Sequence, residues 1–154
     1  MIASRDVEKI MQYSIRPMLE SDIPNALDLW RRTPGLGLNE SDTPARLAAY
    51  LLRNPGQSFV ARDAGGTLLG AVLGGNDGRR GYLQHLAVEP AARGKGIGSG
   101  LVQRCIEALA ALDIYKCNVF VFMTNTAGRE FWQKHGWKLR HDLCTMQTLT
   151  GTAE

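Results

Sequence analysis

Apolar residues recur along the chain with two periods, one of two residues and one near 3.6 residues. The first period is typical of half-buried strands and the second of amphipathic helices. Strands are predicted at "YSIRPM", "SFVARD", "TLLGAVLGG", "GYLQHLAV", "KCNVFVFM", "WKLR" and "CTMQTL", and helices at "SDIPNALDLWRR", "SDTPARLAAYLLRN", residues 101–109 and "TAGREFWQKH". The order β-α-α-β-β-β-α-β-α-β-β predicts a mixed α/β (α+β) sheet rather than a doubly wound one.

Length and hydropathy favour one compact domain, because 154 residues suffice to bury a core. We expect residues 1–12 to form a loosely held leader and residues 13–154 a single domain. No run of about 18 apolar residues appears, which argues against a membrane span. The opening "MIASRDVEKIMQ" lacks the apolar core of a signal peptide, so we expect a cytoplasmic location.

Charge and cysteine usage narrow the function classes. The net charge of +3 slightly favours an anionic ligand but is far below that of a typical nucleic-acid binder, so no nucleic-acid partner is expected. Cys105, Cys117 and Cys144 are far apart, and no His/Cys cluster has zinc spacing. Reduced thiols and no metal site are therefore predicted.

The stretch "VEPAARGKGIGSGL" places glycines and two cations between a predicted strand and a predicted helix. A P-loop requires GxxxxGK, and no glycine stands five residues before Gly94. A dinucleotide fingerprint requires an acid at the end of the next strand, which here reads "FMTN". A third pattern, Arg/Gln-x-x-Gly-x-Gly/Ala, is satisfied by Arg93, Gly96 and Gly98.

The third pattern has a direct physical meaning. The first amides of a helix are unpaired and attract anions, and glycines remove the Cβ atoms that would keep phosphate oxygens away. Arg93 and Lys95 add positive charge. The loop is predicted to hold a diphosphate, and a merely flexible glycine turn is the alternative.

Two segments resemble a known family. "LAVEPAARGKGIGSGL" resembles motif A of the GNAT superfamily of N-acetyltransferases, and "NTAGREFWQKHGW" resembles the region near the end of that fold. "DGRRGYLQHLAV" is similar to the small bacterial YpeA-like branch. The resemblance covers about residues 13–149. It implies a mixed, mostly antiparallel, twisted sheet of about seven strands, flanked by about four helices and splayed between the fourth and fifth strands.

The resemblance implies acetyl-CoA as cosubstrate. The loop would hold the diphosphate, the backbone of the preceding strand would pair with the pantetheine arm, and Asn125 would hydrogen-bond that arm. The implied cofactor-binding residues are Leu86, Ala87, Val88, Arg93, Gly94, Lys95, Gly96, Ile97, Gly98, Ser99, Asn125, Phe131 and Trp132. Phe131 and Trp132 would either line the pantetheine arm or pack in the core.

The implied reaction is direct attack of a primary amine on the thioester, the amine belonging to a small molecule, a peptide N-terminus or a protein. The backbone N–H of Val88 would stabilise the oxyanion. Trp132 stands where many family members have the tyrosine that donates a proton, and an indole N–H is no acid near neutral pH. Tyr82, Tyr115, Ser99 and solvent are the alternative proton donors.

Candidates for the general base lie on the strand "GYLQHLAV" and in the loop around residues 40–42, which borders the acceptor site in the resembling family. Strict alternation sets Tyr82, Gln84, Leu86 and Val88 on one face, and Leu83, His85 and Ala87 on the other. Catalytic residues of several relatives align with Tyr82 and Gln84, so that face is expected to look into the cleft. A bulge could reverse the alternation and turn His85 into the cleft as a catalytic candidate; the alternative is a core or structural histidine. Glu40 and Asp42 are weaker candidates.

Two other functions compete with acetyl transfer. A domain of this type could bind or sense acyl-CoA without transferring anything, which the tryptophan at position 132 and the missing base would favour. Nucleic-acid binding through Arg79, Arg80, Arg93 and Lys95 is a weaker alternative. The resemblance also makes a homodimer possible.

Overall fold

The computed structural model describes residues 12–151. Within that range the chain divides into two compact units, the first ending at Phe120 and the second beginning at Val121. All but the last residue of the predicted leader lies outside the described residues. The assignment of 13–154 to a single domain stays a prediction.

The described residues form five strands and four α-helices, which confirms the mixed α/β class. The strands are β1 (Tyr13–Pro17), β2 (Phe59–Asp63), β3 (Leu68–Asn76), β4 (Gly81–Val88) and β5 (Cys117–Val119), and the helices are α1 (Ile23–Arg31), α2 (Pro44–Arg53), α3 (Ile97–Ala111) and α4 (Thr126–Lys134). The sheet has the order β1-β2-β3-β4-β5. All neighbouring strands pair antiparallel except β4 and β5, which are parallel.

Helices α1 and α2 begin at the predicted cap and proline signals. A proline lies in the first turn of each helix, where its missing N–H costs no hydrogen bond. The side chain of Thr43 accepts a hydrogen bond from the amide of Arg46 and caps α2. Asp22 occupies the N-cap of α1 without capping it, because its carboxylate binds other groups.

The two faces of the sheet pack against different helices. Side chains of α1 and α2 form the main core with residues of β2, β3 and β4, including Trp30, Leu47, Ala71 and Ala87. Helix α3 covers the opposite face, and its buried residues include Leu101. Strand β4 is therefore covered on both sides and held in a fixed register.

Strand β4 contains a β-bulge at His85 and Leu86. Ala87 pairs with Ala71 and Gln84 pairs with Leu73, so β4 advances three residues where β3 advances two. His85 has a φ of 56°, an uncommon backbone conformation for a non-glycine residue. The extra residue reverses the alternation, so Ala87 shares a face with Gln84.

The prediction of strict alternation is therefore wrong beyond Gln84. His85 points to the face of α1, where its ring lies against Trp30. Val88 pairs with Gly70, and an α-hydrogen of Gly70 faces Leu101 of α3. Val88 therefore lies on the α3 face of the sheet, opposite to the face of Tyr82. The strand pattern alone had no signal that an extra residue was present.

Strands β4 and β5 part after a short parallel pairing. Gly81, Tyr82 and Leu83 pair with the three residues of β5, and within the described chain residues 84–88 have no strand partner on that edge. This opening confirms the predicted splay between the fourth and fifth strands.

The second unit contains α4 followed by a segment without strands. The two strands expected at 137–140 and 144–149 do not form in the described residues, so the sheet has five strands where about seven were predicted. Arg140 and Asp142 form a local ion pair at 2.7 Å across a turn, and Leu143 and Met146 are exposed. Short strands require a paired neighbour for stability, and this segment has none in the described residues.

Candidate functional site

The glycine-rich loop connects β4 to α3 through two left-handed residues. Gly94 has a φ of 78° and Gly96, the N-cap of α3, has a φ of 81°. The Gly100 amide donates to the Gly96 carbonyl at 2.9 Å. The amides of Ile97 and Gly98 precede it, where a helix offers no intrahelical acceptor.

The loop leaves open space where side chains would otherwise stand. A Cβ added at Gly94 would meet nothing within 4 Å, and one at Gly96 would meet only the Tyr13 hydroxyl at 4.0 Å. That hydroxyl donates to the Lys95 carbonyl at 3.3 Å, so a residue of β1 holds the loop by a hydrogen bond. Exposed backbone amides at a helix start with no Cβ above them suit a phosphate group.

Charged residues fix the strand end from which the loop departs. Arg93 donates from Nε to the Val88 carbonyl at 3.2 Å. Glu89 accepts two hydrogen bonds from Arg32 at 2.6 and 3.2 Å, which joins the end of α1 to the end of β4. These contacts hold the loop in one position relative to the sheet.

The open edge of β4 carries an available amide at Val88. The amide of Glu89 donates to the Leu69 carbonyl at 2.8 Å, so Val88 and Gly70 form a non-hydrogen-bonded pair. The N–H of Val88 therefore points away from β3, toward the edge that β5 leaves free. This is the direction that an oxyanion donor in the opening requires.

His85 and Asp42 meet on the α1 face of the sheet. Their Nε2 and Oδ1 atoms lie 2.8 Å apart, and the side chains are only 12% and 8% exposed. The ring of Trp30 lies 5.2 Å from that of His85 at an interplanar angle of 53°. The sequence marked the two residues separately as candidates, but the bulge that brings them together left no sequence signal.

The other predicted catalytic side chains, Tyr82 and Gln84, form no hydrogen bond with this pair in the described residues. Tyr82 donates to Asp77 at 3.4 Å and stacks on Phe120 with ring centroids 6.2 Å apart. Gln84 is exposed. The hydrogen bond from Tyr115 to Asp113 raises the pKa of that exposed tyrosine, which makes it a weaker acid.

Asn125 and the aromatic residues belong to the second unit. Asn125 caps α4 by accepting a hydrogen bond from the Gly128 amide at 2.9 Å. Trp132 is buried and makes edge contacts with Phe131 and Trp137, with centroids 5.3 and 4.7 Å apart. The cofactor contacts expected of these residues stay predictions.

The cysteines are free thiols, two of them held protonated by their surroundings. Burial raises the pKa of Cys105 to about 12 and that of Cys117 to about 11. Neither thiol suits a nucleophile at neutral pH, since the thiolate is the reactive form. Residues 12–151 contain no group of three His, Cys, Asp or Glu side chains placed to hold a metal ion.

A sheet that opens between β4 and β5, with a glycine-rich loop of unpaired amides at the opening, is typical of a class of group-transfer proteins. Comparison with known proteins identifies the family. The profile of the "Acetyltransferase (GNAT) family" matches residues 23–137. The chain therefore belongs to the GNAT family of acetyltransferases.

Particular relatives agree with this assignment. An acetyltransferase of Yersinia pestis is 34% identical over 120 residues, which cover 78% of this chain and 84% of the relative. An acetyltransferase of Sodalis glossinidius is 28% identical over 126 residues, covering 82% and 87%. The PaiA N-acetyltransferase of Thermoplasma acidophilum, solved with coenzyme A, has a TM-score of 0.74 at 20% identity, covering 84% of this chain and 92% of that one, and shares the fold.

Among the described helices, none has the length and apolar content to cross a membrane.

Proposed function

We propose that the protein transfers an acetyl group from acetyl-CoA to a primary amine. The observation that carries this proposal is the glycine-rich loop, which presents unpaired amides and open space at the end of a split strand pair. The family and its named acetyltransferase relatives support acetyl transfer, and the solved relative that contains coenzyme A supports the cofactor.

The first unit supplies most of the groups that would hold the cosubstrate. The amides of residues 97–99, with Arg93 and Lys95, would bind the diphosphate. The backbone of residues 86–88, whose outer edge has no strand partner in the described chain, would pair with the pantetheine arm as an added strand does. Acetyl-CoA supplies an activated thioester whose thiol is a good leaving group.

Catalysis then requires a stabilised oxyanion and a deprotonated amine. The N–H of Val88 would donate to the oxyanion from the open edge of β4. No tyrosine stands at position 132, so the departing thiolate would take its proton from solvent or from one of the other candidates, Tyr82 among them. A thiol pKa near 8.5 makes that thiolate a fair leaving group without a dedicated acid.

Calorimetric titration with coenzyme A and acetyl-CoA tests the proposal, followed by thiol release with a panel of amines. The panel contains an aliphatic polyamine, an arylalkylamine, a peptide with a free N-terminus and a blocked peptide with one lysine. Binding with turnover of one class is expected. Binding without turnover of any amine would instead favour an acyl-CoA sensor, and no binding would reject both functions.

Gly96→Glu tests the loop itself. A carboxylate above the α3 amides would fill the open space and repel a diphosphate, so binding of coenzyme A should be lost. Gly78→Glu is the matched control, since Gly78 is a left-handed glycine with open space in the β3–β4 turn, at the opposite end of β4 from the loop. Equal affinity in a folded Gly96→Glu variant would contradict the loop assignment.

A further inference from the structure

We propose that Asp42 and His85 form a base dyad that deprotonates the acceptor amine, a role that rests on the proposed function. The imidazole would accept the proton, and Asp42 would orient the imidazole without touching the substrate. Asp42 is thus a positioning residue and His85 the catalytic residue.

The carboxylate of Asp42 is held by its own loop. One of its oxygens, Oδ2, accepts from the Asn39 amide at 2.9 Å, and the Asp42 amide donates to the Asn39 carbonyl at 3.0 Å. The other oxygen, Oδ1, faces His85 Nε2 at 2.8 Å. Since both oxygens are engaged, the carboxylate has a fixed direction toward the imidazole.

This hydrogen bond selects the tautomer of His85. An ionised carboxylate only accepts hydrogen bonds, so Nε2 carries the proton and Nδ1 keeps the lone pair. Within the described residues, no hydrogen bond occupies Nδ1. Trp30 packs against the ring and restrains its rotation. In its neutral form the imidazole therefore has one basic nitrogen, Nδ1, with a defined orientation.

Few other charges face this imidazole. Asp42 is the charged partner within ion-pair distance of His85. Of the elements that pack on β4, strand β3 carries no titratable side chain, β5 carries Cys117, and α1 carries Asp28 and Arg31. Helix α3, on the opposite face of the sheet, carries Arg104, Cys105 and Glu107. None of these groups forms an ion pair with His85 in the described residues, so Asp42 is its one charged partner there.

Three structural features coincide at His85. The bulge turns its side chain to the face of α1, its φ of 56° is an unfavourable conformation held by the fold, and the pairing of β4 with β5 ends two residues earlier, at Leu83. Unfavourable backbone conformations in folded proteins cluster at functional sites. His85 therefore lies just beyond the point at which β4 and β5 separate.

The proton balance of the step is simple. His85 Nδ1 takes one proton from the ammonium group of the acceptor, and the freed lone pair attacks the thioester carbonyl carbon. The C–N bond forms and the C–S bond breaks as the tetrahedral intermediate collapses. The remaining surplus proton of the amine reaches the thiolate through solvent, and the imidazolium returns its proton to solvent.

Kinetics of His85→Gln test the catalytic half of this inference. General bases contribute about 10²- to 10⁴-fold, so kcat should fall at least about 100-fold while the Kd for coenzyme A stays within about twofold. The acidic limb of the pH profile, which reports protonation of the base, should also disappear. His141→Gln, at an exposed histidine of the second unit, is the control and should match the wild type.

Asp42→Asn and nitrogen NMR test the positioning half. The wild-type His85 should show a protonated Nε2 and an unprotonated Nδ1, its signal identified by elimination once His135→Gln and His141→Gln remove the signals of the other two histidines. Asp42→Asn should shift that equilibrium and lower kcat more than it changes KM. This spectrum is recorded without any acceptor, so it reports on the dyad even if His85→Gln does not fold.

The outcomes separate this inference from the proposed function. Wild-type protein that binds no coenzyme A or acetylates no amine would overturn both. Wild-type turnover that persists in His85→Gln, or an Nδ1-protonated His85 in the wild type, would overturn the dyad alone.

Discussion

Replacing Asp22 by Asn is expected to destabilise the fold by several kcal/mol. Asp22 is only 1% exposed and accepts two hydrogen bonds from Arg16 at 2.7 and 2.8 Å. Arg62 donates two more at 2.8 and 3.1 Å, and the Leu19 amide donates another at 2.8 Å. This carboxylate thereby ties β1, β2 and the start of α1 together.

The pKa of Asp22 gives a magnitude for part of this effect. Burial alone would raise it, but the hydrogen bonds from Arg16, Leu19 and Arg62 outweigh burial and lower it from 3.8 to about 2. A pKa lowered by this much corresponds to roughly 2 to 3 kcal/mol in favour of the folded state. The stabilisation is complete above the unfolded-state value near 3.8 and is lost as the pH falls toward 2.

Urea unfolding at pH 7 and between pH 5 and pH 2 measures both effects. Asp22→Asn should lose about 3 to 5 kcal/mol at pH 7, because it leaves two arginines without their buried partner. Below pH 4 the free energy of unfolding should also fall less in the variant than in the wild type, because the variant has no carboxylate at position 22 to protonate. Asp28→Asn is the control, since Asp28 is 67% exposed in its ion pair with Arg32 and should cost at most about 1 kcal/mol. An Asp22→Asn variant within 0.5 kcal/mol of the wild type would refute this reasoning.

Two further predictions concern the core. Gly74→Ala should lower the melting temperature sharply, because the added Cβ would collide with the Gln57 carbonyl. Gly65→Ala is the control and should change the melting temperature little, since its Cβ would meet only the Asp63 carboxylate at 3.5 Å. Equal melting temperatures of the two variants would contradict this prediction. Burial raises the pKa of Cys105 to about 12, so this thiol should resist alkylation of the native protein at pH 8 while the exposed Cys144 reacts. Mass spectrometry measures the labelling of each cysteine. Equal labelling would mean that α3 opens readily.

The features that sequence predicted well depend on local chemistry. Helix α2 starts at Thr43 and Pro44, an N-cap and first-turn pair that favours helix initiation. Gly94 and Gly96 adopt left-handed conformations that glycine tolerates without strain. In each case a few adjacent residues determine the backbone, so the printed sequence contains the necessary information.

The features that sequence could not predict depend on distant partners. The bulge at His85 is defined by the register of β4 against β3, and "GYLQHLAV" has no glycine or proline inside the strand to mark it. The contact between His85 and Asp42 joins residues 43 positions apart. The C-terminal strands were predicted from short apolar stretches, whose conformation depends on a paired neighbour rather than on their own composition.

The bulge gives β4 one residue more than the segment of β3 with which it pairs. Deleting Leu86 would restore regular pairing, with Gln84 and Ala87 still opposite Leu73 and Ala71. His85 would then pair with Val72 and turn toward α3, away from Asp42. Both residues between Gln84 and Ala87 must therefore be kept for His85 to face Asp42.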